Sequence, residues 1–198
     1  MIRELLYELT RGFAYRSIQH PEMRKYTIWL PLLLSLILIT VYLGLGLDFT
    51  WLGDKGVFSG LLTILSTLPG FYFAGLAAVA TFGGIGMDTP LPKPAPQILI
   101  RVKGVYLPHP LSRRQFLSYL FSYLVILSFA LCMVLLCLNA LAPTVPDIVE
   151  HLSTYSHGLL AWSAAKFAVG FAILLGFASM LVTTLHGIFF LTERMHQP

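Results

Sequence analysis

Residues 159–191 read LLAWSAAKFAVGFAILLGFASMLVTTLHGIFFL, and Lys166 is the only charged side chain in the run. A helix crosses a bilayer in about 20 predominantly apolar residues. This stretch is long enough, and it points to lipid as the solvent of the fold. Three more apolar runs have the required length: Thr27 to Leu47, Val57 to Ile85 and Phe116 to Leu141. Composition agrees, because apolar residues make up 57% of the 198 and charged residues only 11%. Soluble domains carry about 25% charged residues, so this chain cannot cover its own surface with polar groups in water. The expected fold is an all-α integral membrane protein: one domain, 1–198, forming a four-transmembrane-helix bundle.

The distribution of charge predicts an orientation. Arg3, Arg11, Arg16, Arg24 and Lys25 precede the first span, and Lys93, Arg101, Lys103, Arg113 and Arg114 lie between spans two and three. Arg194 follows span four. The remaining two loops hold Lys55 with Asp48, Asp54, Asp147 and Glu150. Lys and Arg are retained on the cytoplasmic side during insertion, so both termini and the loop 86–115 are expected in the cytoplasm.

The soluble segments have their own signatures. Ile2, Leu5, Leu6, Leu9 and Phe13 recur at helical spacing, with Arg3, Glu4, Glu8 and Arg11 mainly elsewhere on the wheel. That predicts a short amphipathic helix in the headgroup region or a docking helix for a partner. Pro90, Pro92, Pro94 and Pro96 open the middle loop as an extended chain. Residues 98–107, ILIRVKGVYL, are rich in β-branched and aromatic side chains and predict a strand or small hairpin. A lone hairpin is marginally stable, so it needs support from the N-terminal segment, a second copy or a partner. Ser112 and Gln115 are spaced as a capping box opening span three. In the loop 142–158, Pro146 and Asp147 suit the start of a short helix and Gly158 its end.

Three features lie inside the membrane. Ala164, Ala168, Ala172 and Gly176 form a small-residue stripe along span four, and Ser66, Gly70, Ala74 and Ala78 form one along span two. Small residues let helix backbones approach closely in lipid, either within one bundle or between copies. Pro69 beside Gly70 predicts a kink, static or acting as a hinge. Lys166 lies about 200° around the helix from Ala164. Its readings are snorkelling to the headgroups beside Trp162, pairing with Asp147 or Glu150, or lining a pore.

No chemistry is evident. The spans carry no carboxylate for ion-coupled transport, and no phosphate-binding, metalloprotease or nucleophile-elbow motif occurs. His20, His109, His151, His157, His186 and His196 are scattered without metal-ligand spacing, and Cys132 and Cys137 face different sides of a helix. There is no cleavable signal peptide pattern in the first twenty residues. The chain reads as a non-enzyme without cofactor or metal and without direct nucleic-acid binding.

Three function classes remain. The first is a membrane anchor or sensor subunit recruiting a cytoplasmic protein, with Arg101, Lys103, Arg113 and Arg114 meeting an acidic surface or anionic lipid. The second is a small homo-oligomeric channel or depolarising pore. The third is a short permease, since Pro110-Leu111-Ser112-Arg113-Arg114 is similar to the Pro-x-Ser-Arg-Arg segment of ABC-type export permeases. That likeness covers about ten residues, and four spans are fewer than the usual six.

The layout as a whole, with Met1-Ile2-Arg3-Glu4-Leu5-Leu6 at the N-terminus and the Pro-rich basic loop from Pro90 to Arg114, resembles KwaA, the membrane subunit of the bacterial Kiwa antiphage defence system. The resemblance implies a homo-oligomeric inner-membrane sensor working with a KwaB-like, DNA-binding cytoplasmic effector. It carries no functional residue across.

Overall fold

The computed structural model describes residues 7, 10–44, 56–81, 86–92, 94–102 and 105–194. Helices dominate, joined by one two-stranded sheet. The expected N-terminal amphipathic helix rests on Ile2, Leu5, Leu6 and Leu9, which lie outside the described residues, as do Lys103 and residues 45–55. Phe13, the last residue of that pattern, sits in a 3-10 helix, Arg11–Ser17.

Among the described residues, three helical stretches are long and apolar enough to cross a membrane: Val57–Thr81, Arg113–Ser153 and Gly158–Glu193. The first expected span corresponds to a shorter apolar helix. It begins as a π-helical turn, Lys25–Trp29, and continues as α1, Leu30–Gly44. Pro31, Ser35 and Ile39 are its buried residues. They recur every four positions, which makes one narrow stripe. Its neighbour there is α6 (Gly158–Phe189).

Span two is broken as Pro69 predicts. It consists of α2, Val57–Leu65, and α3, Leu68–Thr81. Proline has no N–H to donate and its ring crowds the carbonyl four residues back. The turn is sealed by side chains instead. Ser66 Oγ donates to the Thr63 carbonyl at 2.9 Å, and Thr67 Oγ1 to that of Ile64 at 3.0 Å.

The hairpin expected in the middle loop is present as β1, Gln97–Val102, and β2, Val105–Pro110. The strands are antiparallel, with Gln97 opposite Pro110 and Val102 opposite Val105. Its support is the N-terminal segment. Gln19 and Gln97 exchange both backbone hydrogen bonds, at 2.7 and 3.1 Å, while Ile98 and Leu111 are fully covered.

Helix α4, Arg113–Leu141, starts with the expected capping box: Gln115 N donates to Ser112 Oγ, and Ser112 N to Gln115 Oε1. The short helix expected in 142–158 is present as α5, Val145–Ser153, joined to α4 by a 3-10 turn, Ala142–Thr144; it ends at Ser153, and Gly158, expected as its stop, instead begins the next helix. Pro143 and Pro146 fall where their missing N–H groups are tolerated, near the start of each helical piece, so the helical run continues through them.

Helix α4 sits at the centre, packed against α2, α3 and α6. Phe116, Leu120, Tyr123, Leu124, Leu131 and Leu135 form its buried face. The opposite face is equally apolar, with Phe129, Met133, Val134 and Leu136 exposed. A helix that is apolar all round yet exposed on one side is matched to lipid.

Candidate functional site

The structural elements converge at the hairpin end of the molecule, where Tyr15 is completely buried. Its ring stacks on Tyr123 of α4 at 5.5 Å between centroids, and its hydroxyl lies 2.9 Å from His186 Nδ1 on α6. The imidazole stacks in turn on Tyr26 of the π-helical turn, 4.3 Å away and 13° from parallel. Burial first, then the neighbouring Tyr123 and Tyr26, raise the Tyr15 phenol well above its ordinary ionisation range. The phenol therefore stays neutral at physiological pH and keeps its proton for hydrogen bonding. Two short helical turns and two long helices thus meet around this buried cluster.

Arg11 makes the second junction. Its guanidinium lies 5.5 and 5.2 Å from the Tyr7 and Tyr119 ring centroids. It donates to the Tyr119 hydroxyl at 2.8 Å and to the Leu99 carbonyl of β1 at 3.2 Å. Planar geometry and several fixed donors suit arginine to this double role. The hairpin is thereby tied to α4 through the N-terminal segment.

Among the described side chains, those that the hairpin exposes most are apolar or aromatic. Val105 is 60% exposed, Tyr106 57% and Leu107 49%, with Leu99 at 40%. The strand register defines the free edge. Gln97 N and O and the Leu99 carbonyl point away from β2, towards Gln19 and Arg11. Antiparallel pairing alternates, so on β2 the partners Tyr106, Pro108 and Pro110 direct their backbone outward. Two of those three are prolines with no N–H. Such an edge resists strand addition. Contact with another molecule here must be made by side chains.

Of the four basic residues expected at a docking face, Arg101, Arg113 and Arg114 lie among the described residues. Arg101 lies in β1 opposite Tyr106. Arg113 opens α4 and is half-buried. Arg114 is committed to the fold: Nε contacts Asp88 Oδ1 at 2.8 Å and Nη2 contacts Oδ2 at 3.2 Å. Its Nη1 donates to the Val79 and Ala80 carbonyls at 3.3 and 3.1 Å, capping the end of α3. A cation at a helix C-terminus meets the negative end of the macrodipole.

The small-residue stripes divide. Ala164, Ala168 and Ala172 are exposed, and only Gly176 meets a neighbour, with a Cβ there falling 2.9 Å from Leu131. Ser66, Gly70 and Ala74 are also exposed, and Ala78 is half-buried. The close approach on span two is made by Gly75, whose Cβ would stand 2.7 Å from the Phe121 ring. Pro69 is buried, and nothing lies within 4 Å of a Cβ at Gly70. Lys166 lines an apolar cavity at the far end of the molecule.

The interhelical hydrogen bonds have no sequence motif. Tyr123 and Ser179 hydroxyls lie 2.8 Å apart in a buried contact, and Tyr72 and Thr184 are equally close. Tyrosines inside otherwise apolar runs are the available signal, since a buried phenol requires a partner. Among the described residues no cluster of histidine, cysteine and carboxylate side chains is placed to hold a metal ion. Comparison of the chain with family models, curated proteins and solved structures finds no match.

Proposed function

We propose that this chain is a non-enzymatic inner-membrane anchor or sensor subunit that spans the bilayer four times, with both termini in the cytoplasm, and recruits a cytoplasmic effector. The observation that carries this reading is the hairpin: Val105, Tyr106 and Leu107 are exposed on β2, while its partner strand β1 is tied to α4 by Arg11 and to the N-terminal segment by Gln19. Apolar and aromatic side chains on a rigid support make a suitable binding anchor. Arg101 and Lys103, just before β2 in the sequence, add positive charge to this segment. The exposed stripe Ala164, Ala168, Ala172 supports homo-oligomerisation through α6. The likeness in layout to the Kiwa membrane subunit favours a role in antiphage defence and a KwaB-like, DNA-binding effector.

The test is isolation of the tagged chain from its native host in mild detergent, beside a Val105→Ser, Tyr106→Ser, Leu107→Ser variant. A stoichiometric cytoplasmic protein held by the wild type and lost from the variant supports recruitment. Recovery of an oligomer of the chain alone contradicts it and favours a small channel, to be tested by ion flux in liposomes.

A further inference from the structure

At the end opposite the hairpin, α2, α4, α5 and α6 enclose a cavity of about 210 Å³. Phe58, Leu141, Ile148, Trp162 and Val169 are among its walls, and among the described residues Lys166 is the one charged lining residue. An apolar cavity of about 150 Å³ already stays dry and takes up a benzene-sized molecule. This one is larger, and it opens sideways: Leu141 is 55% exposed and Ile148 and Val169 are each 41% exposed. Residues of that kind border lipid, not water, on a helix that crosses a membrane.

Lys166 lies eight residues into α6. That is about 12 Å along the axis, a depth from which a lysine reaches the headgroup layer. Among the described residues no carboxylate forms an ion pair with it, although Asp147 and Glu150 are on the adjoining α5. At 100° per residue, Trp162, Lys166 and Val169 centre about 165° from Ala164, so the cavity and the start of the small-residue stripe use different faces.

From the cavity and its single cation we infer a binding site for one anionic phospholipid of the surrounding leaflet, an acyl chain filling the apolar pocket and the headgroup phosphate meeting the Lys166 ammonium. The hydrocarbon body matches the walls, and the phosphate supplies a counter-charge that the described residues leave unsupplied. A phospholipid is favoured over a free acid because the mouth faces bilayer and the ammonium reaches headgroup depth. The inference rests on the chain lying in a bilayer and not on recruitment of an effector.

The experiment uses the full chain, delipidated in detergent and offered phosphatidylglycerol, phosphatidylcholine of the same acyl composition, or oleate. Native mass spectrometry counts retained molecules. The wild type should retain one phosphatidylglycerol per chain with about fivefold preference over phosphatidylcholine, the preference expected of one lysine near a headgroup. Lys166→Gln should lose the preference, and Lys166→Arg should keep it, which separates loss of charge from loss of fold. Ala165→Phe, filling the cavity and retaining Lys166, should reduce retention of both phospholipids. Equal retention of the two by the wild type, or an unchanged preference in Lys166→Gln, overturns the site. Tighter retention of oleate than of phosphatidylglycerol overturns the assignment to a phospholipid.

Discussion

Arg114 and Asp88 form a two-pronged pair across the loop that joins span two to span three, with Nε to Oδ1 at 2.8 Å and Nη2 to Oδ2 at 3.2 Å. The carboxylate is largely solvent-exposed, so the ion pair itself is worth less than about 1 kcal/mol. The arginine also holds two carbonyls at the end of α3, and losing it uncaps that helix. Arg114→Gln should therefore lower the melting temperature in detergent by roughly 2–6 °C, and Asp88→Asn by less than about half of that. Equal effects would assign the whole contribution to the ion pair.

Two glycines five residues apart on α3 should respond in opposite directions. At Gly75 a Cβ would fall 2.7 Å from the Phe121 ring, whereas at Gly70 it meets nothing within 4 Å. Gly75→Ala should destabilise by about 1–3 kcal/mol. Combination with Phe121→Leu should recover much of that loss. Gly70→Ala should be neutral or stabilising by up to about 1 kcal/mol, because it restricts the unfolded chain. Denaturant titration in mixed micelles measures both.

Tyr123 and Ser179 offer a clean interhelical cycle. Hydrogen bonds of this kind within membranes contribute about 0.6 kcal/mol on average and about 1.7 at most. The coupling between Tyr123→Phe and Ser179→Ala should lie in that range. A coupling indistinguishable from zero would show that the two hydroxyls find other partners.

Tyr15 should give a signature at alkaline pH. Its phenol titrates above the ordinary value of 10.0 in the folded protein, chiefly through burial. The neutral form is thus favoured by folding, and the stability it contributes is full below pH 10 and falls as pH rises beyond it. Tyr15→Phe should lower stability at neutral pH, through loss of the contact to His186, and flatten this alkaline decline. Melting curves between pH 7 and pH 11 would measure it.

Leucine at Ala168 or Ala172 should break assembly without unfolding the chain. Both alanines are exposed, so added side chains meet no atom of the same copy's core. Native mass spectrometry should show monomer with an unchanged melting temperature; an unchanged oligomer would move the interface elsewhere.

The sequence alone determined what depends on runs and nearest neighbours. Long uncharged stretches identified the apolar helices, Pro69 the break in span two, Ser112 with Gln115 the start of α4, and the β-branched run after Pro96 the hairpin. Each is a local effect, written within a few residues of where it acts. Tertiary structure decided the rest. It joined the expected short helix, α5, to α4 through a single 3-10 turn and ended it at Ser153, before Gly158. It gave Arg114 to Asp88 and α3, set Gly75 and not Gly70 against a neighbouring helix, and joined Tyr15 to His186 across 171 positions. In an apolar helix every face looks equally suited to burial, because lipid and protein interior are alike to a hydrocarbon side chain. Which face packs is set by shape and by a few polar partners that meet only when the helices are side by side.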